Sequence, residues 1–480
     1  MLNLSRSSAT RDGPVLVISA NILNLLVNFF IGLIVAKFLG PEGFGRFAIA
    51  IGAGGLIQVL FFGWLRLAAA RFYSETARVE RPELRASLDA ALGALVALTL
   101  ALGVVAAVSG PITTLDPELA FFALAFAAAN GAFEYQLALL RARFHDSAYA
   151  ALIISKNILS LGMTAGIAFA TASADLTLAG TSLSVALPAL VLRLLRDTSA
   201  QPVRPPRAVL GEALAYGLPL SLSLLLFAVI PLANRALGAH MNDFAEAGQL
   251  ALAQDVGLKL ILTIGMSMDQ LLFQLAVREH EKGGRDLGQA QVAFNMTLMV
   301  GFFLPALAGV WLVLPSFEKL IVPEAYVGDF ASALSLLLPG LACYGLMTFA
   351  LAPAFQIAQR TWPVIAAASF ACVVDGFLLW LLPPRWDVDM LAIAQSGALL
   401  AGSLILLLLT PLARPTWPKM RDLFGLLAAT GVMILTVWPL RSMEPGLVTL
   451  LLETLVGAVA YGACVLAFNI AQIRSRMIGA

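Results

Sequence analysis

The sequence predicts an all-α, polytopic integral membrane protein of about 14 transmembrane helices, two six-helix lobes followed by two more helices. Three observations predict it. Of the 480 residues, 60% are hydrophobic and 12% charged, against about 25% charged in a soluble globular chain; the mean hydropathy is +0.88. Apolar runs long enough to cross a bilayer, roughly 20 residues each, recur along the whole chain. The basic residues cluster in alternate connections.

In chain order the apolar runs place spans near 14–37, 45–65, 87–109, 118–140, 149–170, 176–195, 210–237, 246–271, 289–314, 328–352, 361–382, 389–411, 422–440 and 446–470. A Gly-Pro corner, Leu39 to Gly45, separates the first two. With the N-terminus on the cytoplasmic side, 22 of the 30 lysines and arginines fall in inner segments and six at outer ends, with Lys156 and Lys259 inside spans. Lys37 and Arg46 are among the outer six. Such a bias over short loops sets orientation, and it predicts both termini inside. Residues 197–208 are Pro-rich, polar and basic, a linker composition. The expected division is therefore 1–196 as an N-terminal lobe, 197–208 as a cytoplasmic linker, 209–412 as a C-terminal lobe and 413–480 as two additional helices.

The first span carries Asn21, Asn24 and Asn28 at i, i+3 and i+7, which share one helical face. Amides in hydrocarbon are costly without partners or water. That face is therefore either helix–helix glue or the lining of a wet cavity. In the fourth span Asn130, Glu134 and Arg141 share a face, and the fifth holds Ser155-Lys156-Asn157. Counted from the same membrane side at 1.5 Å per residue, Glu134 and Lys156 both lie roughly 10–12 Å deep. The expectation is a Glu134–Lys156 ion pair. Asp255 and Lys259 are i, i+4 neighbours in the eighth span. Asp375 lies near the middle of the eleventh span with no basic residue within a turn, a candidate for proton coupling beside Asp255. Glu453 in the last span is a weaker candidate, close enough to the outer end to reach the interface.

Several classes are excluded. There is no P-loop and no nucleotide-binding domain. No large extracytoplasmic loop or Ser/His/Asp constellation suggests an enzyme. The three histidines and three cysteines have no metal-ligand spacing; the cysteines read as small apolar residues. No metal or cofactor is expected, and a net charge of +1 gives no footprint for nucleic acid. The N-terminal apolar run continues through Lys37 and does not read as a signal peptide.

Two stretches carry a resemblance. Asn28 to Glu75, NFFIGLIVAKFLGPEGFGRFAIAIGAGGLIQVLFFGWLRLAAARFYSE, resembles the opening of polysaccharide (O-antigen) flippases, within the multidrug/oligosaccharidyl-lipid/polysaccharide exporter superfamily. The match runs through Leu39-Gly40-Pro41-Glu42-Gly43-Phe44-Gly45 and Arg71 to Glu75. YGLPLSLSLLLFAVIPLANRALGAHMNDFAEAGQLALA, from Tyr216, resembles the start of the family's second half, and Val322 to Tyr326 is a weaker match. Where the family has an Asp-Arg pair, this chain has Asn234-Arg235. The resemblance implies alternating access around a central cavity and a bacterial inner-membrane location. It implies an ion-coupled flippase for undecaprenyl-diphosphate-linked oligosaccharide, working beside polysaccharide polymerase machinery. A diphosphate would favour basic groups, so Arg71, Arg141, Lys156 and Arg235 join the three asparagines and Glu134 as cavity candidates. A drug exporter of the same superfamily, or a membrane polysaccharide polymerase or ligase, are the alternatives.

Overall fold

Helices form throughout the chain, and among the described residues there is no strand. The computed structural model describes residues 13–73, 81, 83–109, 116–196, 207–357, 360, 362–381, 387–413 and 415–470. Most of the linker, 197–206, lies outside them. Among the described residues twelve helices are long and apolar enough to cross a membrane, and the protein is a multi-pass membrane protein.

The first helix, α1 (Gly13–Phe72), runs for 60 residues, and its one non-helical residue is Gly40, with φ 66° and ψ 175°. Only glycine takes that φ without strain, and Pro41 then disfavours a helical conformation in the residue before it. The corner expected between two helices is thus a kink at one residue. After it come α2 (Glu83–Val108), α3 (Pro117–Ala142) and α4 (Asp146–Ser160), which continues through a π-helical turn at Leu161–Ala165 into Gly166–Thr171. Next are α5 (Ala174–Arg196), α6 (Arg207–Met241) and the 78-residue α7 (Phe244–Ile321), interrupted by a positive φ at Gly284. The chain ends with α8 (Asp329–Leu346), α9 (Trp362–Leu381), α10 (Val388–Leu408), α11 (Met420–Val437) and α12 (Leu447–Ala467).

By contacts the chain forms two units, Met1–Gly248 and Gln249–Ala480. In the first, α3 is the central helix, because its apolar residues serve two cores. On one side Ala128, Tyr135 and Leu139 pack with Phe62, Leu65 and Ala69 of α1, Leu88 of α2 and Ala213 of α6. On the other, Phe133, Leu137 and Leu140 pack with Val17 of α1, Tyr149 and Ile153 of α4 and Val185 of α5.

The kinked corner of α1 backs onto the start of α7 within this unit. A Cβ on Gly45 would strike the Phe244 carbonyl, and one on Gly248 would strike the Pro41 carbonyl. Arg46 closes the same corner. Its guanidinium reaches Asp116 at 2.7 Å and Glu42 at 3.1 Å, and lies 4.7 Å from the Phe244 ring centroid.

In the second unit α10 packs on both α8 and α9, and α11 pairs with α12. Gln254 of α7 hydrogen-bonds Gln395 of α10, which satisfies two buried amides at once. The Glu318 carboxylate accepts from the backbone N–H groups of Gly328 (2.8 Å) and Ala331 (3.0 Å), a negative charge at the N-terminus of α8 where the helix dipole favours one. Tyr326, in the same connection, is fully buried, and burial pushes its phenol above the ordinary value. Glu453 is covered by protein. It is 3% exposed and shares the buried stripe of α12 with Thr449 and Gly457, which packs on Met433 and Val437 of α11. The three cysteines are half-buried and form no disulfide among the described residues.

The corner generates a prediction. Gly45→Val, which drives a side chain into a backbone carbonyl, should lower stability by about 1–3 kcal/mol. Gly211→Ala meets open space and should not. Thermal unfolding of both variants in detergent checks this; equal midpoints would show that the close approach is not required.

Candidate functional site

The polar site of the first unit is built from α1 and α4. Helical periodicity puts Asn21, Asn24 and Asn28 on one face of α1, and the face carrying Leu23, Leu26 and Phe30 is exposed. On α4, Tyr149 and Lys156 stand seven residues apart, the same spacing as Asn21 and Asn28, so two rungs form. The Tyr149 hydroxyl donates to Asn21 Oδ1 at 2.9 Å. The Lys156 ammonium donates to Asn28 Oδ1 at 2.9 Å, Asn24 Oδ1 at 3.0 Å and Asn157 Oδ1 at 3.2 Å. Asn28 Nδ2 also donates to Asn24 Oδ1 at 3.0 Å, which orients the pair of amides. The lysine is half-buried. Three amide oxygens thus replace part of a hydration shell, and hydrogen bonds from a charged donor are roughly twice as strong as neutral ones.

The expected Glu134–Lys156 pair is corrected by this geometry. Glu134 pairs with Arg66 of α1, Nη1 to Oε2 at 3.6 Å, with both side chains about a third exposed. Depth along two helices put Glu134 and Lys156 level, but depth says nothing of the direction in which each side chain points. Arg141 lies with its guanidinium carbon 5.6 Å from the Tyr149 ring centroid, within cation–π range. Arg66, Glu134 and Arg141 all lie within electrostatic reach of the Tyr149 hydroxyl. A polar track therefore runs along α1, α3 and α4 from Arg141 and Glu134 through Tyr149 and Asn21 to Lys156.

The remaining candidates are placed separately. Arg71 is exposed at the end of α1, 5.9 Å from the Tyr216 ring centroid. Arg235 and Asn234 are buried in α6, where Asn234 Nδ2 donates to the Ile230 carbonyl at 2.9 Å. Asp255 is half-buried on α7, and Asp375 is 3% exposed on α9; both belong to the second unit. Tyr149 and Arg66 were missed in the sequence. Tyr149 could have been found from its seven-residue spacing to Lys156, which repeats the asparagine spacing; nothing in the sequence singles out Arg66. Among the described residues no group of three His, Cys, Asp or Glu could hold a metal.

No protein-family model matches the sequence, and no curated protein matches it. Solved structures do match. The lipid II flippase MurJ, in an inward closed conformation, is similar with a TM-score of 0.74 at 14% identity, over 95% of this chain and 99% of MurJ. A single-substitution mutant of the Vibrio cholerae MATE transporter VcmN is similar with a TM-score of 0.56 at 16% identity, over 84% of this chain and 98% of that one. An inward-facing multidrug resistance MATE transporter of the MOP superfamily gives 0.53 at 16% identity, over 86% and 97%. The chain thus has the fold seen in MurJ and in MATE transporters.

The two pairings separate in double-mutant cycles on unfolding. Lys156→Met with Asn28→Leu should show a coupling of about 0.6–1.7 kcal/mol, the range for hydrogen bonds between membrane helices. Glu134→Gln with Lys156→Gln should be additive. A zero coupling in the first cycle, or a large one in the second, would restore the ion pair.

Proposed function

We propose that the chain is a flippase carrying undecaprenyl-diphosphate-linked oligosaccharide from the cytoplasmic to the periplasmic leaflet of a bacterial inner membrane, for O-antigen or exopolysaccharide synthesis. The observation that carries the reading is the Lys156 ammonium, solvated by amide oxygens on the face where three asparagines line up. Amide oxygens are good acceptors for an ammonium group inside a membrane, which suits a cation placed to meet a diphosphate. The likeness to a lipid II flippase over nearly the whole chain supports the same reading. In this reading Asn21, Asn24, Asn28, Arg71, Glu134, Arg141, Lys156 and Arg235 border the substrate path. Asp255 and Asp375 take part in ion coupling, and polymerase machinery is a partner. MATE-like drug export is the second reading; it rests on likenesses of lower TM-score and smaller coverage.

The proposal includes fourteen crossings, divided six, six and two, with cytoplasmic termini. Length supports dividing α1. A straight helix of its length would span about 90 Å, three hydrocarbon thicknesses. The rungs add a parity argument. Asn21 meets Tyr149 and Asn28 meets Lys156, so the first half of α1 runs parallel to α4. Parallel helices are separated by an odd number of crossings. The second half of α1, α2 and α3 make three, so splitting α1 without counting α3 as a crossing would reverse α4.

The test is a deletion strain analysed for accumulated lipid-linked repeat units and lost surface glycan. Complementation with Lys156→Gln, at equal protein level, should restore less than about a tenth of the glycan, the effect expected from removing one charged contact to substrate. Full restoration by this variant would sink the cationic-site argument. Intact surface glycan in the deletion strain itself would favour drug export.

A further inference from the structure

A second cationic feature lies at one end of the first unit, where the start of α2 meets the ends of α3 and α5. Arg85, Arg143 and Arg193, with Gln136, Leu139 and Leu192, line a pocket of about 20 Å³. A cavity of that size admits one oxygen-sized group. Among the described residues Asp89 takes Arg85 Nε at 2.7 Å and accepts the Tyr135 hydroxyl at 2.7 Å. Its oxygens are engaged, and no ion pair is formed by Arg143 or Arg193 among the described residues. Arg143 Nη2 donates to the Tyr73 hydroxyl at 2.7 Å. Its Nε is buried and finds no hydrogen-bond partner among the described residues. A buried donor without an acceptor is unfavourable, and an anionic oxygen in the pocket would relieve it.

We propose that this pocket binds the phosphate of an anionic phospholipid, one non-bridging oxygen entering between Arg143 and Arg193 while the acyl chains run along α5. The surface beside it fits that occupant. Leu190 stands one turn before Arg193 and is 52% exposed, and Leu194, the next residue, is 74% exposed. A basic pocket bordered by bare aliphatic side chains matches a headgroup with its tails; a free phosphate would use the pocket alone. The arginines belong to the connections that the basic-residue bias places on the cytoplasmic side, the side of the leaflet where anionic lipids attract such groups. The site is distinct from the Lys156 site, which is built on α1 and α4.

The test is native mass spectrometry of the full-length protein, titrated with phosphatidylglycerol and with phosphatidylcholine. Wild type should retain phosphatidylglycerol at least about fivefold more strongly, a contribution typical of one basic residue near anionic lipid. Arg143→Gln/Arg193→Gln should bring the two lipids within twofold, and Arg421→Gln, exposed on the second unit, should keep the preference. If the double variant does not fold by circular dichroism, Arg193→Gln alone, at an exposed side chain, gives the same readout. An unchanged preference in the folded variant overturns the proposal. Displacement of phosphatidylglycerol by millimolar inorganic phosphate, to the level of the double variant, would assign the pocket to a free anion and overturn the lipid.

Discussion

The first unit is organised by what an ammonium group requires inside a membrane. A lysine in the middle of a span is unfavourable by at least about 2.5–3.5 kcal/mol on insertion scales. Lys156 meets this with three amide oxygens, two from α1 and one from its own helix. The requirement sets register as well as contact. Once Lys156 sits between Asn24 and Asn28, the seven-residue spacing on both helices brings Tyr149 to Asn21. That places the Tyr149 ring where Arg141 of α3 can lie over it. Sliding α4 by one residue along α1 would break both rungs together, so the polar face specifies a single alignment where apolar packing alone would tolerate several.

Close backbone packing is the second requirement, and it is met by small residues. With lipid tails as apolar as leucine, helices in a bilayer gain from packing and hydrogen bonding more than from burial of apolar surface. Gly45 and Gly248 allow the corner of α1 and the start of α7 to approach until carbonyls fill the space a side chain would take. The kink at Gly40 aims the second half of α1 into this approach, and Arg46, paired with Glu42 and Asp116, fastens the polar end of it.

Fold class and helix positions were legible because the membrane leaves little choice. Backbone groups must be satisfied within each segment, so a long apolar run is a helix. The asparagine face was legible from its period. What covers that face was not, because a sequence gives a residue's height along its helix and its angle about the axis, but not which neighbour stands at that angle. Glu134 and Lys156 have equal heights, yet Glu134 turns to Arg66 and Lys156 to the asparagines. Neither Arg66 nor Tyr149 was singled out by the sequence pattern. Each gains its part in the site only from the packing of α3 and α4 on α1. For Glu453 the distance from the helix end was readable, but its direction toward α11 was not.

Two kinds of contact meet the cations of the first unit. Arg66 with Glu134, and Arg85 with Asp89, are ion pairs whose charges largely cancel at a distance. The amide oxygens that meet Lys156 and the aromatic face that meets Arg141 are contacts of another kind, which lower the cost of a charge while carrying none of their own. The second arrangement leaves more of a field for an anion to feel. In a medium of low dielectric that field is screened less than at an aqueous surface. At Arg66 an anion would compete with a carboxylate already in place. The asparagines thus join α1 to α4 through polar contacts: Asn24 and Asn28 accept from the Lys156 ammonium, and Asn21 from the Tyr149 hydroxyl.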